Sequence, residues 1–383
     1  MQLVYFDNNS TTPVDPEVRA AMVPFLTDYF GNPSSNHRLG AQARNAVEQA
    51  RQQVASLLGT QPERIVFNSG GSEGNNAVLF SAAISRPEKK HLISSQVEHA
   101  SVLEPLRFLE TMGYEVEFLP VAANGNLDLA RLAGAIRPDT ALVSLMAANN
   151  ETGVLWPLEK IAAICREKKV LFHSDAVQLA GKLPIKVEEL GLDYLTVSAH
   201  KLHGPKGVGA LYVGRTAPFH SSVLGAGQEN GRRAGTENVP AIAGFGRACE
   251  LAADALAAGT YQRVGELRDR LQRELRDTVA DLLVNGEGMP RLPNTLNLSF
   301  KHCSSAGLIQ DLDSVGLLVS AHSACQSGDL DPSHVLRAMG VTEPYLHGTL
   351  RISLSRCSTE AEVERFLAVL PGLVSKSRKD FAW

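Results

Sequence analysis

Lys201 and Asp175 are the side chains whose placement first suggests chemistry. Lys201 ends YLTVSAHK (194–201), whose apolar start predicts a buried strand. A lysine at the end of such a strand is partly desolvated, which lowers its pKa and makes its amine a nucleophile suited to Schiff-base chemistry. Asp175 ends VLFHSD (170–175), again at the carboxyl end of a predicted strand, where open α/β sheets bind ligands. Its carboxylate is placed to pair with a protonated ring nitrogen; capping of the next turn explains that residue alone equally well. Most lysines are surface residues, so Lys201 by itself is weak evidence. Lys206, within Gly204-Pro205-Lys206-Gly207, reads as a solvated turn lysine, and the run lacks the spacing of a nucleotide P-loop.

Asn68-Ser69-Gly70-Gly71-Ser72-Glu73 lies between a predicted strand (64–67) and a helix starting near Ser72. Small residues there let backbone amides approach an anion, which the helix dipole favours. On these six residues alone a plain tight turn is the commoner explanation. Glu98-His99-Ala100-Ser101 follows the strand-like HLISS (91–95). The His99 imidazole suits stacking on a ring or shuttling a proton, and equally an ordinary place at a helix N-terminus. The combination says more than its parts. An anion turn, a strand-end Asp and a strand-end Lys meet the needs of pyridoxal phosphate: a phosphate cradle, a carboxylate for the pyridinium nitrogen and an amine for the aldehyde.

These residues need a scaffold, and the chain alternates strand and helix patterns. Asp15-Pro16-Glu17 reads as a helix start, and an apolar stripe from Ala43 to Leu58 ends at Gly59 as a C-cap. Strands are expected at 64–67, 91–95, 141–147, 170–176, 194–199 and 208–214, with helices at 100–112 and 158–168. Such alternation predicts an α/β fold with a mostly parallel sheet covered on both faces. After Asn238 a long helical stretch runs to about Asp281, followed by strands at 294–300, 316–320 and 349–355. A last helix opens with a Thr359–Glu362 capping box. The expected division is a large domain over 15–258 and a smaller α+β domain from 1–14 and 259–383.

Composition excludes several classes. The 383 residues carry 37 Lys+Arg against 41 Asp+Glu, net −4, without the basic stripe of a nucleic-acid binder. The N-terminus lacks the pattern of a secretory signal, and no apolar run is long enough to span a bilayer, so a cytoplasmic protein is expected. The five cysteines (165, 249, 303, 325 and 357) are odd in number and form no CxxC, which argues against a disulfide framework or a zinc site. Cys325 differs from the rest. It sits in the small, polar run Ser-Ala-Cys-Gln-Ser-Gly-Asp (323–329), which reads as a mobile loop (about 321–333) carrying a reactive thiol. Cys165 and Cys249 read as inert core thiols, and Cys357 as packing.

Ten runs in order make the sequence resemble the cysteine desulfurases of the NifS/IscS type, fold-type-I pyridoxal-phosphate transferases. They are YFDNNSTTPVDP (5–16), GNPSSNHRLG (31–40), FNSGGSEGNN (67–76), EHASV (98–102), NNETG (149–153), HSDAVQ (173–178), SAHKLHGPKGVGALYV (198–213), GQENGRRAGTEN (227–238), SACQSGDLDPSHVLRAMG (323–340) and LRISLSR (350–356). The resemblance implies that Lys201 bonds the pyridoxal 5'-phosphate aldehyde, Asp175 pairs with the ring nitrogen and Gln178 with the ring hydroxyl, and His99 stacks on the ring. Asn150 lies beside ring and substrate, while Gly71, Ser72, Ser198 and His200 hold the phosphate. Thr236 is implied to reach the phosphate of a partner subunit in a homodimer, and Arg351 to clamp the substrate carboxylate. Asn32 and Asn8 are second-line site residues.

The implied reaction takes L-cysteine to alanine. It uses Lys201 as base and His99 as a proton donor, and leaves the sulfur as a persulfide on Cys325. Sulfur then passes to an acceptor such as an iron–sulfur scaffold. No resident metal is implied, Cys325 being at most a transient cluster ligand. Neither nucleic acid nor membrane is an expected partner. A selenocysteine lyase or related lyase is the alternative, and a sulfur-relay or scaffold-binding adaptor a further one. The chain departs from the family at His322, where a Gly is usual. It also ends at SRKDFAW (377–383), without the longer tail by which housekeeping relatives dock a scaffold, so the acceptor stays open.

Overall fold

A computed structural model describes residues 3–321 and 332–380. His322 and Cys325 therefore lie outside the described residues. The strands are β1 (Val4–Tyr5), β2 (Ile65–Asn68), β3 (His91–Ser95), β4 (Glu115–Leu119), β5 (Thr140–Ser144), β6 (Leu171–Asp175), β7 (Tyr194–Ser198), β8 (Gly209–Val213), β9 (Leu282–Val284), β10 (Thr295–Phe300), β11 (Leu317–Leu318) and β12 (Thr349–Ser353). Seven form the main sheet in the order β2-β8-β7-β6-β5-β3-β4. Within it β8 runs antiparallel to both neighbours and the other pairings are parallel. The carboxyl ends of β2, β3, β5, β6 and β7 consequently share one rim.

The short apolar runs fold as strands because alternate side chains meet apolar layers on both faces. Ile65, Phe67, Ile93, Val143, Phe172 and Leu195 pack into one cluster. Their neighbours Val66, Leu92, Leu142, Leu171 and Tyr194 pack into another on the opposite face. Each fully buried side chain of this kind contributes roughly 1.5–3 kcal/mol. Helix ends follow sequence chemistry. Asp15 caps Pro16–Met22 by accepting from Glu17 N at 2.9 Å, and Gly59 closes Arg38–Leu58 in the left-handed conformation, φ 67°. Helix Arg38–Leu58 lies against Val239–Ala257, and a Cβ on Gly246 would stand 2.7 Å from Ala50 Cα, so only glycine permits that approach.

The remaining strands build a smaller layer: β12-β10-β9 is antiparallel and β1 pairs with β11. Val4 and Phe6 join residues from Tyr261 to Val374 in a third apolar cluster. The expected long helix after Asn238 is instead two, Val239–Ala257 and Thr260–Thr278. The chain turns at Ala258-Gly259, where glycine takes φ 67°, and the second helix buries its stripe in the third cluster. Strand β4 has one exposed and three half-buried side chains and gave no strong apolar signal, so it was not anticipated. The capping box is present: Glu362 Oε2 accepts from Thr359 N at 2.8 Å, and Thr359 Oγ1 from Glu362 N at 3.3 Å.

A buried ion pair pins the segment that follows β8. Glu229 accepts from Arg51 Nη1 (2.7 Å) and Nη2 (2.8 Å) and from Phe67 N (2.9 Å), although Glu229 and Asn230 both have positive φ. Removing Glu229 takes away the buried partner of Arg51 and leaves that buried guanidinium only the longer contacts to the half-exposed Glu48 (3.2 and 3.3 Å) and a bond to Ile65 O. Glu229→Ala is therefore expected to cost about 3–5 kcal/mol, measured as the loss of unfolding free energy in urea; a loss under about 1 kcal/mol would show the pair to be dispensable.

Candidate active site at the carboxyl rim of the parallel strands

The rim holds a cavity of about 170 Å³. Ten sequence-anticipated residues line it: Gly71, Ser72, His99, Asn150, Asp175, Gln178, Ser198, His200, Lys201 and Arg351. β2 leads through Gly70 (φ 143°) into helix Gly71–Ser85, whose first residues face the cavity. β3 leads to His99, β6 ends in Asp175, and the turn after β7 delivers His200 and Lys201. Arg351 comes from β12, in the other layer.

The Lys201 amine donates to the main-chain carbonyls of Asn9 (2.5 Å) and Ser10 (2.7 Å). Asp175 accepts from Val177 N on Oδ1 (2.9 Å) and from Asn75 Nδ2 on Oδ2 (2.7 Å). Gln178 donates from Nε2 to Asn9 O, while its Oε1 accepts from Lys182 Nζ, both at 2.9 Å. Lys182 is buried, and burial, with the charges of Lys201 and Arg351 behind it, pulls its pKa well below the ordinary range. His200 is pulled down to about 3 by burial and then by Lys201, Lys206 and Lys182, so its ring is neutral.

Arg351 is 1% exposed. It donates to Asn150 O (3.2 Å), Asp7 Oδ1 (2.9 Å) and Ser10 Oγ (2.6 Å), while Nε has no hydrogen-bond partner among the described residues. A buried guanidinium with an unused donor on a cavity wall suits a carboxylate.

Several expectations need correction. Asn32 is exposed, outside the cavity lining, and uses its side chain to accept from Ser34 N. Asn8 is buried but serves the fold, donating to Tyr5 O and Ser353 O. Its neighbour Asn9 lines the cavity instead. Thr236, expected to serve a partner subunit, is exposed and outside the cavity lining of its own chain, which does not bear against that expectation. Cys357 is exposed rather than packed, because it lies in the turn between β12 and the last helix. Cys165 and Cys249 are buried, and burial pushes both thiols up, Cys165 to about 12. Sequence reasoning gave no role to Asn9, Ser10, Asn75, Ser101 or Lys182. All lie inside or close to the quoted motifs, but only their contacts set them apart.

The donor set fits pyridoxal phosphate. Gly71, Ser72, Ser198 and His200 cluster at the N-terminus of a 15-residue helix, which suits a phosphate. A Cβ on Gly71 would come within 2.8 Å of Val177 Cγ2, so the cradle requires glycine. A buried carboxylate and an amine complete what the ring and aldehyde need.

The family model described as aminotransferase class-V matches residues 4–366. A protein described as cysteine desulfurase from Trichormus azollae is 48% identical over 378 residues, covering 99% of this chain and 94% of that one. Cysteine desulfurase IscS of Dictyoglomus turgidum is 44% identical over 376 residues, covering 98% and 95%. A solved structure described as a NifS-like protein superposes with a TM-score of 0.91 at 38% identity, covering 98% and 100%.

Beside the cavity, Glu98 is fully buried and accepts on Oε1 from Ser95 Oγ (2.8 Å) and Met146 N (3.0 Å). Burial pushes its carboxyl from 4.5 up to about 8. Between those values the folded protein holds a proton that the unfolded chain has lost, so stability falls as pH rises from about 4.5 to 8. Glu98→Gln keeps the acceptor and removes the titration. Urea unfolding from pH 5 to 9 is expected to show the variant losing less stability than the parent up to pH 8, by at most about 1.4 kcal/mol per pH unit, and the two running parallel above it. Parallel curves below pH 8 would mean that Glu98 is ionised in the fold.

Proposed function

The chain belongs to the aminotransferase class-V family, and we propose that its cavity works as a cysteine desulfurase, taking sulfur from L-cysteine and releasing L-alanine. Relatives described as cysteine desulfurases match along nearly the whole chain. The observation that carries the reading is the meeting, in one cavity, of the Lys201 amine, the Asp175 carboxylate and the Arg351 guanidinium. The cofactor is pyridoxal 5'-phosphate, held by Lys201, Asp175, Gln178, Gly71, Ser72, Ser198 and His200. When bound, it supplies an electron sink for the pair left behind when a proton leaves the substrate Cα.

The chain's own residues do the rest. Arg351 holds the substrate carboxylate, with Asn150 beside it. Asp175 keeps a proton on the ring nitrogen by charge. Lys182 and Asn9 fix both ends of the Gln178 amide, so that its nitrogen and oxygen cannot exchange places. Lys201, once its amine is free, takes the Cα proton. His99 lies along the cavity wall and contributes its ring face.

The Cys325 thiolate then attacks the substrate sulfur. The S–S bond forms as the Cβ–S bond breaks, and the pair from that bond stays on carbon, which takes a proton to become the alanine methyl. Both described flanks of the segment bearing Cys325 attach beside the cavity, which supports this role. Ser320 exchanges main-chain hydrogen bonds with Arg351, Ser333 Oγ donates to Glu151 Oε2, and His334 Nε2 donates to Glu98 O. An exposed Thr236 fits a homodimer in which that residue completes the partner's phosphate site. An iron–sulfur scaffold is the proposed sulfur acceptor, with Cys325 a transient cluster ligand, in the cytoplasm. Residues 15–258 form the proposed cofactor domain, with 1–14 and 259–383 as the smaller one.

Two outcomes test the reading. Cys325→Ala is expected to keep the cofactor absorption band and its change on adding L-cysteine while losing sulfide release and alanine formation; unchanged activity would remove Cys325 from the mechanism. Arg351→Lys, which cannot grip a carboxylate side-on, is expected to raise KM for cysteine about 10- to 100-fold with a smaller change in kcat, read from initial rates of alanine formation.

A further inference from the structure

Asn75 has no part in the reading above, yet it is fully buried on helix Gly71–Ser85, between two of the cofactor's proposed neighbours. Its amide nitrogen donates one hydrogen to Asp175 Oδ2 at 2.7 Å and the other to Ser101 Oγ at 2.9 Å. Its carbonyl oxygen has no hydrogen-bond partner among the described residues. Turning the amide over would set that oxygen against the Asp175 carboxylate, so the orientation is determined.

Ser101 stands next in the chain. Its Oγ is 2.8 Å from His99 Nδ1, and its own main-chain N–H also donates to Nδ1, at 3.1 Å. A nitrogen that accepts from a main-chain N–H carries no hydrogen. Ser101 Oγ, which accepts from Asn75, is therefore the donor to Nδ1, and the neutral imidazole keeps its hydrogen on Nε2. Every group in the series Asn75, Ser101, His99 has one permitted direction, and the series starts at the atom that also holds Asp175.

We infer that Asn75 is a positioning residue for both cofactor neighbours: one amide hydrogen fixes Asp175 Oδ2, and the other, through Ser101, fixes His99 as the tautomer with its hydrogen on Nε2. The inference rests on the cofactor assignment proposed above, with Asp175 at the ring nitrogen and His99 contributing its ring face. It adds that the two are set together by one side chain. Substitution at Asn75 then disturbs both, whereas substitution at Ser101 disturbs His99 alone.

The test uses the cofactor-loaded full chain with histidine side chains labelled in nitrogen-15. Long-range proton–nitrogen correlation reads the tautomer, and His99→Gln identifies the His99 signals. The parent is expected to show Nδ1 unprotonated and Nε2 protonated. Ser101→Ala, which removes one donor to Nδ1, is expected to raise the population of the other tautomer roughly three- to tenfold, with the cofactor band unmoved and Ser101→Thr restoring the parent signals. Asn75→Leu, close in volume, is expected to repeat the tautomer change and also to shift the cofactor band or its pH midpoint, because Asp175 loses a donor. Unchanged His99 signals in Ser101→Ala, or an Asn75→Leu protein whose cofactor band matches the parent, would overturn the inference. If Asn75→Leu does not fold, Ser101→Ala and its Thr rescue still decide the His99 arm. Failure of the parent to form any lysine-linked band would instead count against the proposed function.

Discussion

The main-chain carbonyl of Asn9 is the contact on which the site depends. It accepts from both Lys201 Nζ and Gln178 Nε2. The side chain of Asn9 binds Asn150 O and Thr295 Oγ1, and its main-chain N–H binds Ser353 Oγ. One tight turn, closed by Ser10 N donating to Asp7 O, thus joins residues after β6 and β7 of the main sheet to β10 and β12 of the smaller layer. A carbonyl cannot be replaced by a side-chain substitution, so the geometry here is set by the path of the backbone. The path is held because every polar atom on it that is buried must find a partner.

Charge gives the cavity its character. Lys201, Arg351 and Lys182 gather near it, with Asp175 and Asp7 as the nearby carboxylates. Crowding of this kind is costly unless each cation is bonded or neutral. Lys201 and Arg351 are bonded, and burial together with its cationic neighbours drives Lys182 toward the neutral amine. Lys201 and Arg351 still present cationic donors to the cavity, which is a physical reason for an amino-acid carboxylate and a phosphorylated cofactor to share it. Thiols buried elsewhere are held protonated by the same desolvation that makes them inert.

Much of this was legible in the residues. Strands with both faces apolar show as short unbroken runs, so the main sheet was readable apart from β4, whose partly exposed face weakens the pattern. Asp175 and Lys201 stand out because polar residues at the ends of apolar runs mark strand termini. The single helix expected after Asn238 became two because a lone glycine inside a helical pattern says little about whether the chain turns there. Asn32 misled because a motif shows that a segment matters, without showing which of its side chains faces inward.

Residue types and their order determined the fold class and the kinds of group available: an amine, a carboxylate, a guanidinium and a small-residue turn. Local chemistry also set the helix ends, since Asp15, Gly59 and Thr359 act on neighbours within a few residues. Tertiary structure alone decided which groups meet. Asn9 and Lys201 are 192 positions apart, and Asp7 and Arg351 344 apart. Hydrogen bonds over such separations depend on how whole layers pack, and no local pattern encodes them. The neutral state of His200 follows from burial and its cationic neighbours in the fold, whereas the His99 tautomer is set by Ser101 two positions on, with Asn75 from another element fixing the direction of that serine's hydroxyl.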